Sequence, residues 1–341
     1  MDGREQAAIE DRLRQQIESY HEAALVFTAV TLGLPDRLSA GPLAAEELAR
    51  DLSLSAPHLH RFLRGLATLS LCEELPHGRF ALTAAGRSLA SGAESSLREK
   101  VLVVLGQYWL PWLELLHCLE TGAPSFPNIF EMPVAEWRRL NPEQGALFQR
   151  YLAKEELAQA NSIIETLEVS EVNTVASIGG GYGALLVAIL WAHPHLEAVL
   201  FDEQQTVEAA KPLLQIFRVA ERVHCVGGDV LHDIPVTAEV YVLKNVLQQF
   251  DDEQAGAILR NCRDAMPPSA KLLIIERLLL ELASDDPAAI MLDLHMMAIT
   301  GGRARSLQQF EALIGEAGLA VSKVTPTSSG LAIIEAVFPS P

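Results

Sequence analysis

Beyond residue 170 the chain alternates short, densely apolar runs with longer stretches whose apolar positions recur at helical spacing. Val175–Ile178, Glu197–Phe201, Arg222–Val226, Ala238–Leu243 and Ala270–Ile275 are β-rich runs. Continuous apolarity over so few residues is the mark of strands buried on both faces. Between them lie helical patterns such as Ala184–Leu190 and Glu253–Asp264. Strand and helix in alternation predict an α/β fold with a mainly parallel, doubly wound sheet, whose site lies at the carboxyl ends of the strands. Two further runs, Ala320–Thr325 and Leu331–Phe338, close the chain and bring the expected strand count to seven.

The first strand breaks into Val175-Ala-Ser-Ile-Gly-Gly-Gly-Tyr-Gly183. Glycine admits positive φ and lets a ligand approach without a Cβ in the way, while the first N–H groups of the next helix point at that ligand. Such a turn alone serves dinucleotides, phosphates and nucleosides alike. Its sequel narrows the choice. Asp202 ends the second strand, where a carboxylate accepts both hydroxyls of a ribose, and Asp229 follows the third, where one accepts from the exocyclic amine of adenine. Lys244 ends the fourth strand and Glu276 the fifth.

Residues 172–338 resemble the catalytic domain of class I S-adenosylmethionine-dependent methyltransferases, and more closely the small-molecule O-methyltransferases of plant caffeate and bacterial polyketide and phenazine type. The resemblance is carried by Gly179-Gly-Gly-Tyr-Gly183, Phe201-Asp202, Gly228-Asp229, Leu243-Lys-Asn-Val-Leu247, Asp251-Asp-Glu253, Ile274-Ile-Glu276 and Gly301-Gly302. It implies a Rossmann-like seven-stranded sheet and S-adenosyl-L-methionine as cofactor. Ser177, Gly179, Gly181, Gly183, Asp202, Asp229, Val230 and Lys244 are the residues it places around that cofactor, with Lys244 at the cofactor's carboxylate.

The first half resembles the same family. Leu32–Leu38, Gly41–Ala49, His58–Leu69 and Gly78–Thr83 read as helices with a two-stranded wing, similar to the winged-helix domain through which the family's subunits dimerise. The expected division is a winged-helix dimerisation domain over 1–95, bridging helices over 96–170 that cover the substrate site, and a cofactor-binding catalytic domain over 171–341. The amino-terminal helices, including the apolar run Ala23–Leu34, are expected to expose more hydrophobic surface than a monomer tolerates, which points to a two-fold homodimer built on residues 1–100.

A winged helix also raises the possibility of a DNA-binding regulator. Phosphate neutralisation supplies most non-specific DNA affinity, and this chain of 341 residues carries a net charge of −18, so no nucleic-acid partner is expected. Ala23–Leu34 is too short to span a bilayer and no membrane partner is expected. Cys72, Cys118, Cys225 and Cys262 show no paired spacing, which suits reduced thiols in a cytoplasmic protein. His58-Leu-His60 and His193-Pro-His195 lack a third ligand, so no metal site is expected.

The chemistry departs from the family's pattern. O-methylation removes a proton from a hydroxyl as it attacks the methyl group, and the pattern supplies a His-Asp pair after the fourth strand. Here that segment is Leu247-Gln248-Gln249-Phe250-Asp251-Asp252-Glu253, and an amide takes up no proton at neutral pH. The pattern's Gly-Gly-x-Glu turn is Gly301-Gly-Arg-Ala304, and its acid before the glycine turn is Ser177. Of the carboxylates that would orient a catalytic histidine, Glu276 remains.

Loss of a general base costs about 10²–10⁴-fold in rate, roughly 3–5 kcal/mol. Three outcomes are consistent with that loss. The acceptor is acidic enough to react by proximity with Gln248 beside it, or His295 on the following helix serves as base, or the cofactor is kept as a bound cation by a non-methylating, pericyclase- or hydroxylase-like enzyme. Trp109, Phe148, Tyr151, Met291 and Met296 are the expected substrate lining, which suits an apolar aromatic or polyketide-like small molecule of secondary metabolism.

Overall fold

The structure, a computed structural model, describes residues 3–339, so the outermost residues of the expected first and last domains lie outside the described residues. The chain divides between Trp109 and Leu110 into two compact units.

In the first unit, the helix Ala56–Thr68 buries Leu59, Leu63 and Leu66, spaced at four and three residues as one helical face requires. Leu34, Leu48 and Phe80 meet this face in the unit's core. Three strands form the wing: β1 (Leu43–Ala44), β2 (Cys72–Leu75) and β3 (Arg79–Leu82), in the order β1-β3-β2. The expected two-stranded wing therefore gains a third strand, too short to have a readable period.

Within the amino-terminal helices, the run Ala23–Leu34 is largely covered. The helix Tyr20–Thr31 buries Ala29 and Val30 and half-buries Leu25, Val26 and Phe27. The exposed aliphatic side chains sit on the preceding helix, Gly3–Glu18, as Ile9, Leu13 and Ile17, which are 50, 54 and 66 % exposed.

The second unit holds the seven-stranded sheet: β4 (Thr174–Ile178), β5 (Glu197–Asp202), β6 (Val223–Gly227), β7 (Val240–Lys244), β8 (Lys271–Glu276), β9 (Ala320–Pro326) and β10 (Ala332–Val337). Their order is β6-β5-β4-β7-β8-β10-β9, with β4 to β8 parallel and β10 antiparallel to both neighbours. The order reverses between β4 and β7, which opens a crevice at the strands' carboxyl ends. Two apolar layers cover the faces, one around Ile178, Tyr241, Ile258 and Phe310, the other around Leu186, Leu200, Leu214 and Ile275.

The helix Ala184–Ala192 is apolar all round because β5 lies on one side and the long helix Pro142–Ile164 on another. Short helices Ser125–Phe130 and Val134–Leu140, each preceded by proline, complete the bridging segment. No helix among the described residues is long and apolar enough to cross a membrane.

Candidate active site

The glycine turn leaves β4 with Gly179, Gly181 and Gly183 at φ of +64°, +55° and +76°. All three are in the left-handed region that side chains disfavour. A Cβ on Gly179 would lie 2.8 Å from Val246 Cγ2, and one on Gly180 would lie 2.5 Å from Ser177 Oγ and 2.6 Å from Leu200 Cδ1. The turn is thus a bare-backbone cradle closed from below. Asp202, at the end of β5, turns back onto it: Oδ2 accepts from Gly181 N at 2.8 Å and Oδ1 from Glu203 N at 2.8 Å. Burial pushes its carboxyl up, against the pull of those two bonds.

At the end of β6, Gly228 has no room for a side chain because a Cβ would meet the Phe201 ring at 2.6 Å. Asp229 is exposed there, accepting from Leu231 N and pairing with His232 Nδ1, both at 2.9 Å. Val230 is half-buried and its carbonyl accepts from Asn261 Nδ2 at 2.8 Å. Lys244 is buried at the end of β7. Burial pushes its ammonium down, opposed by Glu156, Glu155 and Glu276.

A second cluster lies one loop further. Gln248 sits in the 3₁₀ turn Leu247–Gln249, buried, with its main-chain N donating to Glu276 Oε1 at 3.1 Å. Glu276 is 1 % exposed and burial pushes its carboxyl up to about 7. Gln248 Oε1 and Glu276 Oε2 are both buried without a hydrogen-bond partner. Two unsatisfied oxygens in one cluster are costly, and a polar ligand group or water that donates to them removes the cost.

Arg305, which sequence reasoning missed, closes this turn. It is fully buried; Nη1 donates to Leu247 O at 2.8 Å, Nη2 to Phe250 O at 2.9 Å, and Nε pairs with Asp252 Oδ1 at 2.9 Å. Gly302 packs its main chain on the same turn, where a Cβ would lie 2.3 Å from Gln248 O. Ala304 is buried, and its N–H donates to Asp293 Oδ1 at 2.8 Å.

His295 stands on the helix Pro287–Ile299. Its Nδ1 accepts from Trp112 Nε1 at 3.1 Å, with the two rings 24° from parallel. An indole N–H only donates, so Nδ1 carries no proton and the neutral ring holds its hydrogen on Nε2. Burial, helped by Arg138, pushes the imidazole down to about 4. Of the expected lining, Phe148 and Tyr151 stand together on the long helix, with the Arg138 guanidinium 3.3 Å above the Phe148 ring. Met296 is buried, whereas Met291 is 52 % exposed. Trp109 is half-buried and ends the first unit. Phe126, Phe130 and Trp137 pack on one another, with Phe126 wholly buried. Among the described residues no cluster of His, Cys, Asp and Glu is able to hold a metal.

Residues 112–320 match the O-methyltransferase domain, and residues 15–92 match the O-methyltransferase dimerisation domain. The chain belongs to the O-methyltransferase family. It is 34 % identical over 325 residues to a phenazine O-methyltransferase of Lysobacter antibioticus, covering 95 % of each chain. The structure of the mitomycin 7-O-methyltransferase MmcR matches with a TM-score of 0.91 at 31 % identity, over 98 % of this chain and 99 % of that one. The O-methyltransferase NcsB1 of neocarzinostatin biosynthesis, solved with S-adenosylmethionine and 2-hydroxy-5-methyl naphthoic acid, matches with a TM-score of 0.83 at 29 % identity, over 93 % and 96 %. The protein is an S-adenosylmethionine-dependent methyltransferase.

Proposed function

We propose that this methyltransferase acts on an already acidic hydroxyl of an apolar aromatic small molecule of secondary metabolism, with no histidine serving as general base. The observation that carries the reading is the state of the two groups nearest to that role: position 248 is an amide, and His295 has its basic nitrogen engaged by Trp112.

The residues present fit the donor. Gly179, Gly181 and Gly183 give its amino-acid end a cradle without side chains, supported by Ser177. Asp202 takes the ribose hydroxyls, Asp229 and Val230 the adenine, and Lys244 the carboxylate. When bound, the donor supplies an electrophilic methyl group on a sulfonium. The protein's share is to hold the acceptor oxygen in line and keep water away. Glu276 Oε1 accepts from Gln248 N, so a protonated Glu276 carries its hydrogen on Oε2. That hydrogen and the Gln248 amide are the hydrogen-bonding groups left to orient the acceptor, while Phe148, Tyr151 and Met296 supply apolar walls.

The domain assignment over 1–95, 96–170 and 171–341 is part of this proposal, as is a homodimer built on the amino-terminal residues. The stripe Ile9, Leu13 and Ile17 supports the homodimer, because a helix exposing three aliphatic side chains in line is shielded from water by a second copy. Incubation with methyl-labelled donor tests the activity: transfer to an acidic naphthol and not to an aliphatic alcohol is expected, and equal transfer to both contradicts it.

A further inference from the structure

Position 177 is serine where the family's pattern places an acid, and Ser177 Oγ lies directly beneath the glycine turn. A carboxylate reaches the turn from another element. Glu156, on the helix Pro142–Ile164 that packs along the helix the glycines open, stands near enough to the Leu185 main-chain N–H, Lys244 and Asp202 for each of them to act on its carboxyl. Seven residues earlier, on the same face of that helix, Gln149 places Oε1 3.0 Å from where a Cβ on Gly181 would be. That oxygen is buried and has no hydrogen-bond partner. One helix face therefore lays a carboxylate and an unsatisfied carbonyl oxygen over the cradle.

The charges arrange themselves by sign. The Glu156 carboxylate lies near the positive end of the helix Ala184–Ala192 and offsets what an anionic ligand group would gain there. A cationic group gains from Glu156, from Asp202 and from the lone Gln149 oxygen. The anionic group of the same ligand is left to Lys244.

We infer that Glu156 supplies the carboxylate that receives the donor's α-ammonium, replacing the acid missing at position 177, with Gln149 Oε1 as its second acceptor. A zwitterion enters between Glu156 and Lys244 and takes over their mutual attraction. Burial, which pushes the Glu156 carboxyl up and the Lys244 ammonium down, leaves both groups stabilised by a ligand of opposite charge. The inference rests on the reading of Gly179–Gly183 and Lys244 as the seat of the donor's amino-acid end.

Calorimetric titration of the full-length protein with S-adenosylhomocysteine and with methylthioadenosine, which keeps the nucleoside and lacks the amino-acid end, tests it. Glu156→Gln is expected to weaken S-adenosylhomocysteine by about ten- to a hundredfold, the worth of a hydrogen bond to a charged group. Methylthioadenosine binding should not change, and it reports at once that the variant is folded. Ser177→Asp in the Glu156→Gln background should recover much of the loss. If Glu156→Gln does not fold, Glu156→Ser and its transposed partner Glu156→Ser with Ser177→Asp answer the same question by the same two ligands. Equal weakening of both ligands, or undiminished S-adenosylhomocysteine binding, overturns the inference. Failure of the unaltered protein to bind either ligand overturns instead the reading of the donor site.

Discussion

Gln248→His puts an imidazole where a buried amide now stands, and its effect depends on the acidity of the acceptor. The main-chain N–H of residue 248 is bound to Glu276 at 3.1 Å, so the new ring arrives beside a carboxyl held up to about 7. A histidine of ordinary pKa, about 6.5, and this carboxyl exchange a proton near neutrality, as a general base requires. A phenol with a pKa of about 10 is ionised to roughly one part in a thousand at neutral pH, a barrier of about 4 kcal/mol at about 1.4 kcal/mol for each tenfold step. On the proposed reading the unaltered protein offers no histidine to lower that barrier, and a positioned base recovers about ten- to a thousandfold of it. An acceptor with a pKa near 7 has little to recover and should gain less than about threefold. Adding Ala304→Glu gives the ring a second carboxylate, at some cost in stability because Ala304 is buried. The assay is the initial rate of labelled methyl transfer across phenols and naphthols of graded acidity. The rate of the unaltered protein should fall steeply as acceptor pKa rises, and the variant should flatten the dependence. Equal gain on every acceptor, or no dependence on acidity in the unaltered protein, rules out transfer limited by the acidity of the acceptor.

Asp202→Ala removes the carboxylate that faces the glycine turn and should weaken donor binding by about 2–3 kcal/mol in calorimetry, whereas undiminished binding would take the ribose away from Asp202. Glu276 makes the fold sensitive to pH. Its carboxyl rises from 4.5 to about 7 on folding, so its contribution to stability is complete below 4.5 and is lost as pH climbs to about 7. The difference is of order 3 kcal/mol at about 1.4 kcal/mol for each tenfold step. Glu276→Gln should therefore gain stability relative to the unaltered protein between about pH 5 and about pH 8 in urea unfolding, and a constant difference across that range would exclude the buried titration. If the proposed homodimer forms, Leu13→Asp should give a monomer in sedimentation with circular dichroism unchanged, and a dimer that persists moves the interface off the helix Gly3–Glu18.

The strands were legible because they are short and rich in β-formers, and the runs of β4, β5, β6 and β8 stop at glycine or an acid: Glu197–Asp202 is found as read, and β4, β6, β7, β8, β9 and β10 differ by one or two residues at their ends. The glycine turn was legible for a similar reason, since few other residues fit where a Cβ has 2.8 Å or less. What escaped depends on partners far along the chain. Trp112 and His295 are 183 residues apart, and nothing local announces that one occupies the other's basic nitrogen. Arg305 looks like any arginine until the carbonyls of Leu247 and Phe250 come to it. Glu156 lies in the polar sequence Lys154-Glu-Glu156, which reads as a solvated helix face. Within the amino-terminal helices the stripe Ile9, Leu13 and Ile17 does not stand out in sequence because charged neighbours dilute it, while the denser run Ala23–Leu34 holds residues that the first unit's own core largely covers.

The proposed methyl transfer proceeds without a histidine base. Its most direct test is the initial rate of labelled methyl transfer from S-adenosylmethionine to an acidic hydroxynaphthoate, compared between the unaltered protein and His295→Ala with the product weighed by mass spectrometry. One labelled methyl group on the acceptor oxygen is expected, at rates within about threefold of each other, far less than the 10²–10⁴-fold a lost base costs. Loss of about a hundredfold or more in His295→Ala with donor affinity intact would make His295 the base, and conversion of the acceptor with no label gained would show that the donor serves only as a bound cation.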